Sequence, residues 1–313
     1  MIVKSDSLNK GILPRAAVVQ DMSGFGRVSL TEALPIMSAM GVEACPLPTA
    51  LLSTHTYEFK NYTLLDLTDE MEKIINHWEE IGVEFDAVYS GYMSSARQID
   101  ITKEFMQKQK AKGAVIVVDP VMGDNALLDV KTVYSDRMYE LIDGMRDMCS
   151  VANAITPNLT EACLLTDRDY PRGAINSEEI CDLLKSLSEL GPEIVAITSV
   201  KDAENSMCVA VYDKTEGLYF KVDCGYVDRL FHGTGDIYAS VFTGALMQEM
   251  NVRSAANIAA EFVRECVAKT IEHPSMPVRH GTLFEMVLRD GFFARDNYIN
   301  RVEVLKLEKG EGV

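Results

Sequence analysis

A short glycine-rich segment that ends in an acid, Gly233-Thr234-Gly235-Asp236, has the residue types and spacing for phosphate chemistry. Glycines on both sides of a threonine let backbone N–H groups approach an anion that larger side chains would keep away. The apolar run 237–246 predicts a buried helix, so these N–H groups would lie at a helix N-terminus, where negative charge is favoured.

The acid itself, Asp236, narrows the chemistry. A carboxylate repels phosphate, but it could accept the proton of a hydroxyl group that attacks phosphorus. This arrangement is typical of a small-molecule kinase, with Gly233, Thr234 and Gly235 around the transferring group. The alternative is a glycine turn in which Asp236 is an ordinary acid in the first turn of a helix.

Further acids follow two strand-like runs. Asp119 and Asp124 come after the apolar run 114–118, and their hard oxygen atoms suit Mg²⁺ that bridges phosphates. The alternative is an Asp-Pro turn with solvated acids. Glu161 lies three residues after Asn158, where it could equally be the capping acid of the next helix.

Hydroxyl and ring side chains follow other strands. Thr198 and Ser199 end an apolar run, and hydroxyl groups in such positions can hold phosphate. His55 lies in a polar cluster between two strand-like segments, and Tyr92 could stack on a flat ring. Either of them could equally be an ordinary, half-buried residue.

The elements that must position these residues alternate along the chain. Short β-branched runs alternate with helix-length segments, which predicts an α/β fold with a doubly wound, mostly parallel sheet covered by helices on both faces. Ligands bind such sheets at the carboxyl ends of the strands, where the residues above are found. We expect a flexible leader at 1–14, one domain at 15–290 and a charged tail at 291–313 that is frayed from Glu303 onward. We also expect Ser254 to be the cap of a helix through Thr270.

Composition excludes some classes of partner. The chain has 313 residues, of which 47% are hydrophobic, and a net charge of −17. This charge argues against nucleic acid or an anionic membrane as a partner. Seven cysteines without a C-x-x-C pair suit reduced thiols in a cytoplasmic protein. The sequence has no window of 18 uninterrupted apolar residues, so it predicts no membrane span.

The order of the motifs is more specific than any one of them. From about Ala16 to Thr270 the chain resembles the vitamin kinases of the ribokinase superfamily, and most of all the pyridoxal (pyridoxine, pyridoxamine) kinases. The resemblance implies a ribokinase-like fold, a homodimer, and transfer of phosphate from ATP to the 5′-hydroxymethyl group of a vitamin B6 form, with Mg²⁺ and a monovalent cation such as K⁺.

The resemblance also implies roles for individual residues. Asp236 would be the base, and Gly233, Thr234 and Gly235 would form the anion hole. The nucleotide would be contacted by Asp119, Asn158, Thr198, Ser199 and Thr234. The metal ions would be contacted by Asp119, Asp124, Thr156 and Glu161. The substrate would be contacted by Val28, His55, Thr56 and Tyr92. From its position after the acidic turn, and not from the resemblance, the segment 125–133 is expected to close over ATP.

One position departs from this pattern. Asp21 stands where pyridoxal kinases usually carry a serine, and the segment 21–26 is closer to the hydroxymethylpyrimidine kinases of thiamine synthesis. Asp21 could bind a ring hydroxyl or a protonated ring nitrogen, or simply its own backbone. A third interpretation, a Rossmann-like dinucleotide-binding protein, depends on Gly24 and Gly26, with Ser29 in place of the third glycine.

Overall fold

The computed structural model describes residues 12–123, 136–204, 206–225, 231–295 and 297–308, with the backbone only for 136–140. In these residues one sheet runs in the strand order β10-β9-β8-β7-β6-β5-β4-β1-β2-β3. The strands are β1 Arg15–Ser23, β2 Glu43–Leu52, β3 Leu64–Asp66, β4 Ala87–Ser90, β5 Val115–Val118, β6 Ala154–Ile155, β7 Ile194–Lys201, β8 Met207–Asp213, β9 Leu218–Asp223 and β10 Val302–Leu307.

The centre of the sheet is parallel and its two edges are antiparallel. Strands β2, β1, β4, β5, β6 and β7 pair in parallel. Strand β3 pairs antiparallel with β2, and β8, β9 and β10 continue antiparallel from β7. Every residue of β4 and β5 is buried, as expected for parallel strands that helices cover on both faces.

Two groups of helices cover the sheet. The helices of the described residues are α1 Leu30–Ala39, α2 Thr68–Glu80, α3 Ala96–Ala111, α4 Asp136–Val151, α5 Leu159–Leu165, α6 Ser177–Glu189, α7 Thr234–Met247, α8 Val252–Ile271 and α9 Phe284–Arg289. One apolar cluster joins α1, α7, α8 and α9 to the sheet. A second cluster joins α2 to α6 to the other face, which confirms the predicted doubly wound α/β class.

This topology gathers the candidate residues at one edge. The strand order reverses at β1, which has β2 on one side and β4 on the other, and ligands bind beside such switch points. The carboxyl ends of β1, β4, β5, β6 and β7 lie along the same edge. None of the described helices has the length and apolarity needed to cross a membrane.

The structure corrects two expectations. The tail expected to be frayed contains β10, where Glu303 lies 3.1 Å from the buried Lys221 Nζ, and Phe292 is fully buried. Apolar residues interrupted by Glu303 and Lys306 suit an exposed edge strand, and a register shift between Val304 and Lys306 breaks the simple alternation. Helix α8 is capped by Asn251, which accepts a hydrogen bond from Ser254 N at 2.9 Å, so Ser254 lies inside the helix. The first eleven residues of the expected leader lie outside the described residues.

Candidate active site

The glycine segment forms the N-terminus of helix α7, as its sequence predicts. Gly233 is the N-cap with φ 83°, a left-handed conformation that favours glycine. A Cβ at Gly233 would collide with the Glu32 carboxyl and the Arg27 carbonyl oxygen. Thr234 is the first residue of the helix, so the N–H groups of the first helical turn lie at the sheet edge, where an anion could bind.

Asp236 lies in the first turn of α7 and makes a long-range bond. Its Oδ2 accepts a hydrogen bond from Ser29 N at 3.0 Å. Burial raises the pKa of Asp236 to about 7; the Ser29 N–H opposes this rise and the Asp21 charge adds to it. A carboxyl group with a pKa near 7 is suited to accept a proton at neutral pH.

A second carboxylate, Asp21, lies near Asp236 at the end of β1. It is 5% exposed and accepts hydrogen bonds from Ser29 Oγ at 2.6 Å and from Ser23 Oγ at 3.0 Å. Burial raises the pKa of Asp21, and the two hydroxyl groups oppose this rise. Asp21 is therefore held by side chains, and the simple turn that bonds its own backbone is not the whole of its role.

The predicted substrate residues lie around Asp21. His55 is buried, donates from Nε2 to Arg279 O at 2.7 Å and accepts from Tyr57 N at Nδ1, so its ring is the neutral Nε2–H tautomer. Burial raises the pKa of Tyr92, and the charge of Asp21 raises it further, which places Tyr92 within electrostatic reach of Asp21.

Two other predicted substrate residues differ in exposure. Val28 is 9% exposed and precedes Ser29, whereas Thr56 is exposed in the loop next to His55. A Cβ at Gly26, whose φ is 91°, would collide with the His55 ring. Gly26 therefore lets the loop after β1 pack against the loop that carries His55, which is a local reason for this glycine.

The acidic turn after β5 faces the same site. Asp119 is 5% exposed, and its Oδ1 accepts a hydrogen bond from Thr156 Oγ1 at 3.2 Å. Burial raises the pKa of Asp119 well above its usual range, and the charges of Glu161 and Asp236 raise it further. Asp119 and Asp236 thus lie on the same side of the molecule, as the kinase interpretation requires, while Asp124 and the segment 125–133 lie outside the described residues.

Glu161 is occupied by backbone groups. Its Oε1 accepts from Met122 N at 3.0 Å and its Oε2 from Asn158 N at 2.8 Å, while Asn158 Oδ1 accepts from Glu161 N at 2.9 Å. This is a capping box at the start of α5. Glu161 consequently braces the turn that carries Asp119, and a cation would reach it most easily through water.

The acidic turn after β5 has carboxylates that suit Mg²⁺ bound together with waters and phosphates. No set of three or more His, Cys, Asp or Glu side chains in the described ranges is arranged to hold a metal alone. Mg²⁺ commonly binds through one or two carboxylates together with waters and phosphates, and the crowded negative charge around Asp119 fits such a cation.

Four of the five predicted nucleotide residues, all except Asp119, line one cavity of about 170 Å³. Its polar wall combines the ends of β6 and β7 with the start of α7, and its remaining wall is mostly apolar. The polar wall contains Asn158, Thr198, Ser199, Thr234 and Gly235; the other wall contains Met207, Cys208, Val209, Cys224, Tyr238, Ala260 and Val263. Six separate segments of the chain are thus brought together.

Sequence reasoning missed several residues at this edge. Glu32 is fully buried against Gly233, and neither of its carboxyl oxygens has a hydrogen-bond partner among the residues that the structure describes. Phe59 packs edge-on against both His55 and Phe25, with ring centroids 4.9 and 5.9 Å apart. No spacing rule connects these distant segments, and the one sequence signal is an acid in the otherwise apolar run of α1.

Comparisons with known proteins cover most of the chain. A family model described as phosphomethylpyrimidine kinase matches residues 34–279. A crystal structure from Bacteroides thetaiotaomicron, provisionally assigned as a phosphomethylpyrimidine kinase and determined with pyridoxal, is 39% identical. The match covers 93% of this chain and 99% of that one, with a TM-score of 0.84.

Two further relatives carry another description. The structure of a pyridoxal kinase from Lactobacillus plantarum is 27% identical, covers 90% of this chain and 97% of its own, and has a TM-score of 0.80. A curated pyridoxal kinase of Corynebacterium diphtheriae is 26% identical over 80% of this chain and 88% of its own length.

Proposed function

Because the chain belongs to the phosphomethylpyrimidine kinase family, we propose that it transfers the γ-phosphoryl group of ATP to the 5′-hydroxymethyl group of pyridoxal, pyridoxine or pyridoxamine. One observation carries the proposal: Asp236, with a pKa near 7, lies at a helix N-terminus and within electrostatic reach of the buried Asp119. The relative determined with pyridoxal supports this substrate class, and the family assignment displaces the dinucleotide-binding alternative.

In the proposed reaction the protein positions two substrates and stabilises charge. Asp236 accepts the proton of the attacking hydroxyl group. The N–H groups of Gly233, Thr234 and Gly235 stabilise the negative charge on the transferring phosphoryl group. Little covalent chemistry is required of the protein, so most of the acceleration comes from alignment and charge stabilisation.

Other residues bind the nucleotide and its cations. Bound Mg²⁺ supplies neutralisation of the phosphate charge. We assign it to Asp119 and Asp124, with Glu161 acting through water, and a monovalent cation such as K⁺ to Thr156. The side chains of Asn158, Thr198, Ser199 and Thr234 contact the phosphates of ATP.

The substrate ring occupies the space beside Asp21. We assign its contacts to Asp21, Val28, His55, Thr56 and Tyr92. Both ring nitrogens of His55 are already hydrogen-bonded, to Arg279 O and to Tyr57 N, so Asp21 is the group that a protonated ring nitrogen or a ring hydroxyl would meet.

Hydroxymethylpyrimidine is the second candidate substrate. It is favoured by the description of the family model and by the carboxylate at Asp21. Both candidates require the same phosphoryl transfer, so they differ only in the ring that the pocket accepts.

The test is ATP consumption by the purified protein with Mg²⁺ and each vitamin B6 form or hydroxymethylpyrimidine. We expect kcat/KM to be at least tenfold higher for one B6 form than for the pyrimidine. A preference for the pyrimidine would assign the protein to thiamine synthesis, and no turnover of any of these alcohols would reject the kinase proposal. The homodimer and the cytoplasmic location stay predictions. Light scattering would test the homodimer by measuring the mass of the protein in solution.

A further inference from the structure

Ser29, the residue before helix α1, has a backbone conformation that residues other than glycine rarely adopt. Its φ is 51° and its ψ is −133°, and the residue is 5% exposed. Such a conformation costs free energy and persists only where the surrounding structure holds it, which occurs often at functional sites.

The bonds of Ser29 identify what holds it. Its N–H donates to Asp236 Oδ2 at 3.0 Å, and its Oγ donates to Asp21 Oδ1 at 2.6 Å. Its carbonyl oxygen accepts from the N–H groups of Glu32 and Ala33 at 3.0 and 2.9 Å. Every polar group of this small residue is therefore used.

The hydroxyl group is used in an unusual way for this position. A serine at an N-cap normally accepts a hydrogen bond from the first turn of the helix, but α1 has no side-chain cap. The Ser29 hydroxyl is instead directed to Asp21. Helix α1 gives up a stabilising bond, and the two carboxylates of the site are joined through one residue.

We propose that Ser29 is a positioning residue: its strained backbone directs its N–H to Asp236 and its hydroxyl group to Asp21, and so holds both carboxylates as one unit. The inference rests on the proposed function, in which Asp236 is the base and Asp21 faces the substrate ring. The hydroxyl bond anchors the conformation in which the N–H meets Asp236, so its loss loosens the base as well.

The charges around the pair give the direction of the pH effect. Hydrogen bonds from Ser29 favour the charged forms of both carboxyl groups and lower the pKa of each. The titratable groups that face Asp236 come from four elements or turns: Asp21 from β1, Glu32 from α1, Tyr89 from β4, and Asp119 after β5. Loss of the Ser29 bonds therefore shifts the acid limb of activity toward higher pH.

The test compares three variants by kcat, by KM for ATP and for the alcohol substrate, and by Tm, over a range of pH. Ser29→Ala and Ser29→Gly both remove the hydroxyl group, but only glycine relieves the backbone. Ser23→Ala is the matched control, because it removes the other hydroxyl donor of Asp21 and has no bond to Asp236.

We expect Ser29→Ala to lower kcat about tenfold, the effect of losing one hydrogen bond to a charged group, with the acid limb moved to higher pH and KM for ATP unchanged. Ser29→Gly should share the loss of kcat and melt at a higher temperature than Ser29→Ala. Ser23→Ala should change kcat by less than about threefold.

Two results would overturn the inference: wild-type kcat and pH profile in the Ser29 variants, or equal losses in Ser29→Ala and Ser23→Ala. If Ser29→Ala does not fold, the comparison of Ser29→Gly with Ser23→Ala decides. If the wild type accepts only the pyrimidine, the B6 proposal fails while the same variants test Ser29 on that substrate. If it phosphorylates no alcohol, both proposals fail.

Discussion

Two turns border the proposed phosphoryl site, and they are built in opposite ways. The turn from β6 to α5 contains a complete capping box, in which Asn158 and Glu161 satisfy each other's backbone N–H groups. The turn from β1 to α1 has positive φ angles at Gly26 and Ser29 and lacks a side-chain cap. We refer to these as the capped turn and the strained turn.

The two turns differ in how far along the chain their hydrogen-bond partners lie. The capped turn has its reciprocal cap bonds within four residues, and Glu161 and Asn158 also bond the turn that follows Asp119. The strained turn depends on distant partners, since Ser29 bonds Asp236 and Arg27 N bonds His280 O. The strained turn therefore has less local stabilisation, and it lies on the side of the site where we propose that the substrate's proton is removed.

The largest expected effect comes from replacing Asp236, the proposed base, which accepts a hydrogen bond from Ser29 of the strained turn. Asp236→Asn keeps an acceptor for Ser29 N but cannot take a proton. We expect kcat to fall by at least about 100-fold, with KM for ATP changed little, in steady-state assays. A fall of less than about tenfold would mean that Asp236 is not the base.

The pH dependence of the wild type tests the same carboxyl group without a substitution. The base must be deprotonated, and its pKa is about 7. We therefore expect kcat/KM to be constant above pH 8 and to fall about tenfold for each pH unit well below 7. An acid limb near pH 4 would show that burial does not raise this pKa in the free enzyme.

Stability should change in the opposite direction from activity. Because the folded-state pKa of Asp236 is raised, this group destabilises the fold least below its unfolded-state pKa near 4, and its charged form reduces stability as pH rises toward 7. At pH 8 we expect Asp236→Asn to be more stable than the wild type by about 2–4 kcal/mol.

Urea unfolding at pH 5 and pH 8 measures this linkage. The advantage of Asp236→Asn should be less than half as large at pH 5, where most of the wild-type carboxyl is protonated in the folded state. Equal advantages at both values would attribute the stability difference to packing and not to charge.

The capped turn could be predicted from the sequence and the strained turn could not. Asn158 and Glu161 have the spacing of a capping box, and the glycine segment before Asp236 is contiguous, so each was found from neighbouring residues. The bond from Ser29 to Asp236 spans 207 residues. No periodicity or propensity relates residues so far apart, and the sequence marked Ser29 only as a departure from a glycine pattern.

The same reasoning explains the other outcomes. Buried parallel strands such as β5 have a strong apolar signal, and they were predicted close to their observed bounds. Strand β10 was missed because its charged residues favoured a tail and because the register shift between Val304 and Lys306 breaks the alternation that marks an ordinary edge strand. Charge alone does not distinguish a solvated tail from an edge strand.

The smallest effect sharpens the comparison from the capped side. Helix α6 begins with a second capping box, Asn176 and Glu179, that is exposed and does not line the nucleotide cavity. We expect Asn158→Ala and Asn176→Ala each to lower the free energy of unfolding by about 1 kcal/mol, or about 2 °C in Tm. Asn158→Ala alone should also raise KM for ATP several-fold, because Asn158 Nδ2 holds Gly123 O at 3.0 Å beside the acidic turn.

This pair of variants separates a cap from a binding residue. Both remove the N-cap asparagine of a capping box, and Asn158→Ala also removes the bond to Gly123 O, so stability is compared first and a difference in KM for ATP is assigned to the site. Equal KM values for ATP in the two variants would reduce the capped turn to a structural element. The polar wall of the cavity would then depend on Thr198, Ser199 and the N-terminus of α7 alone.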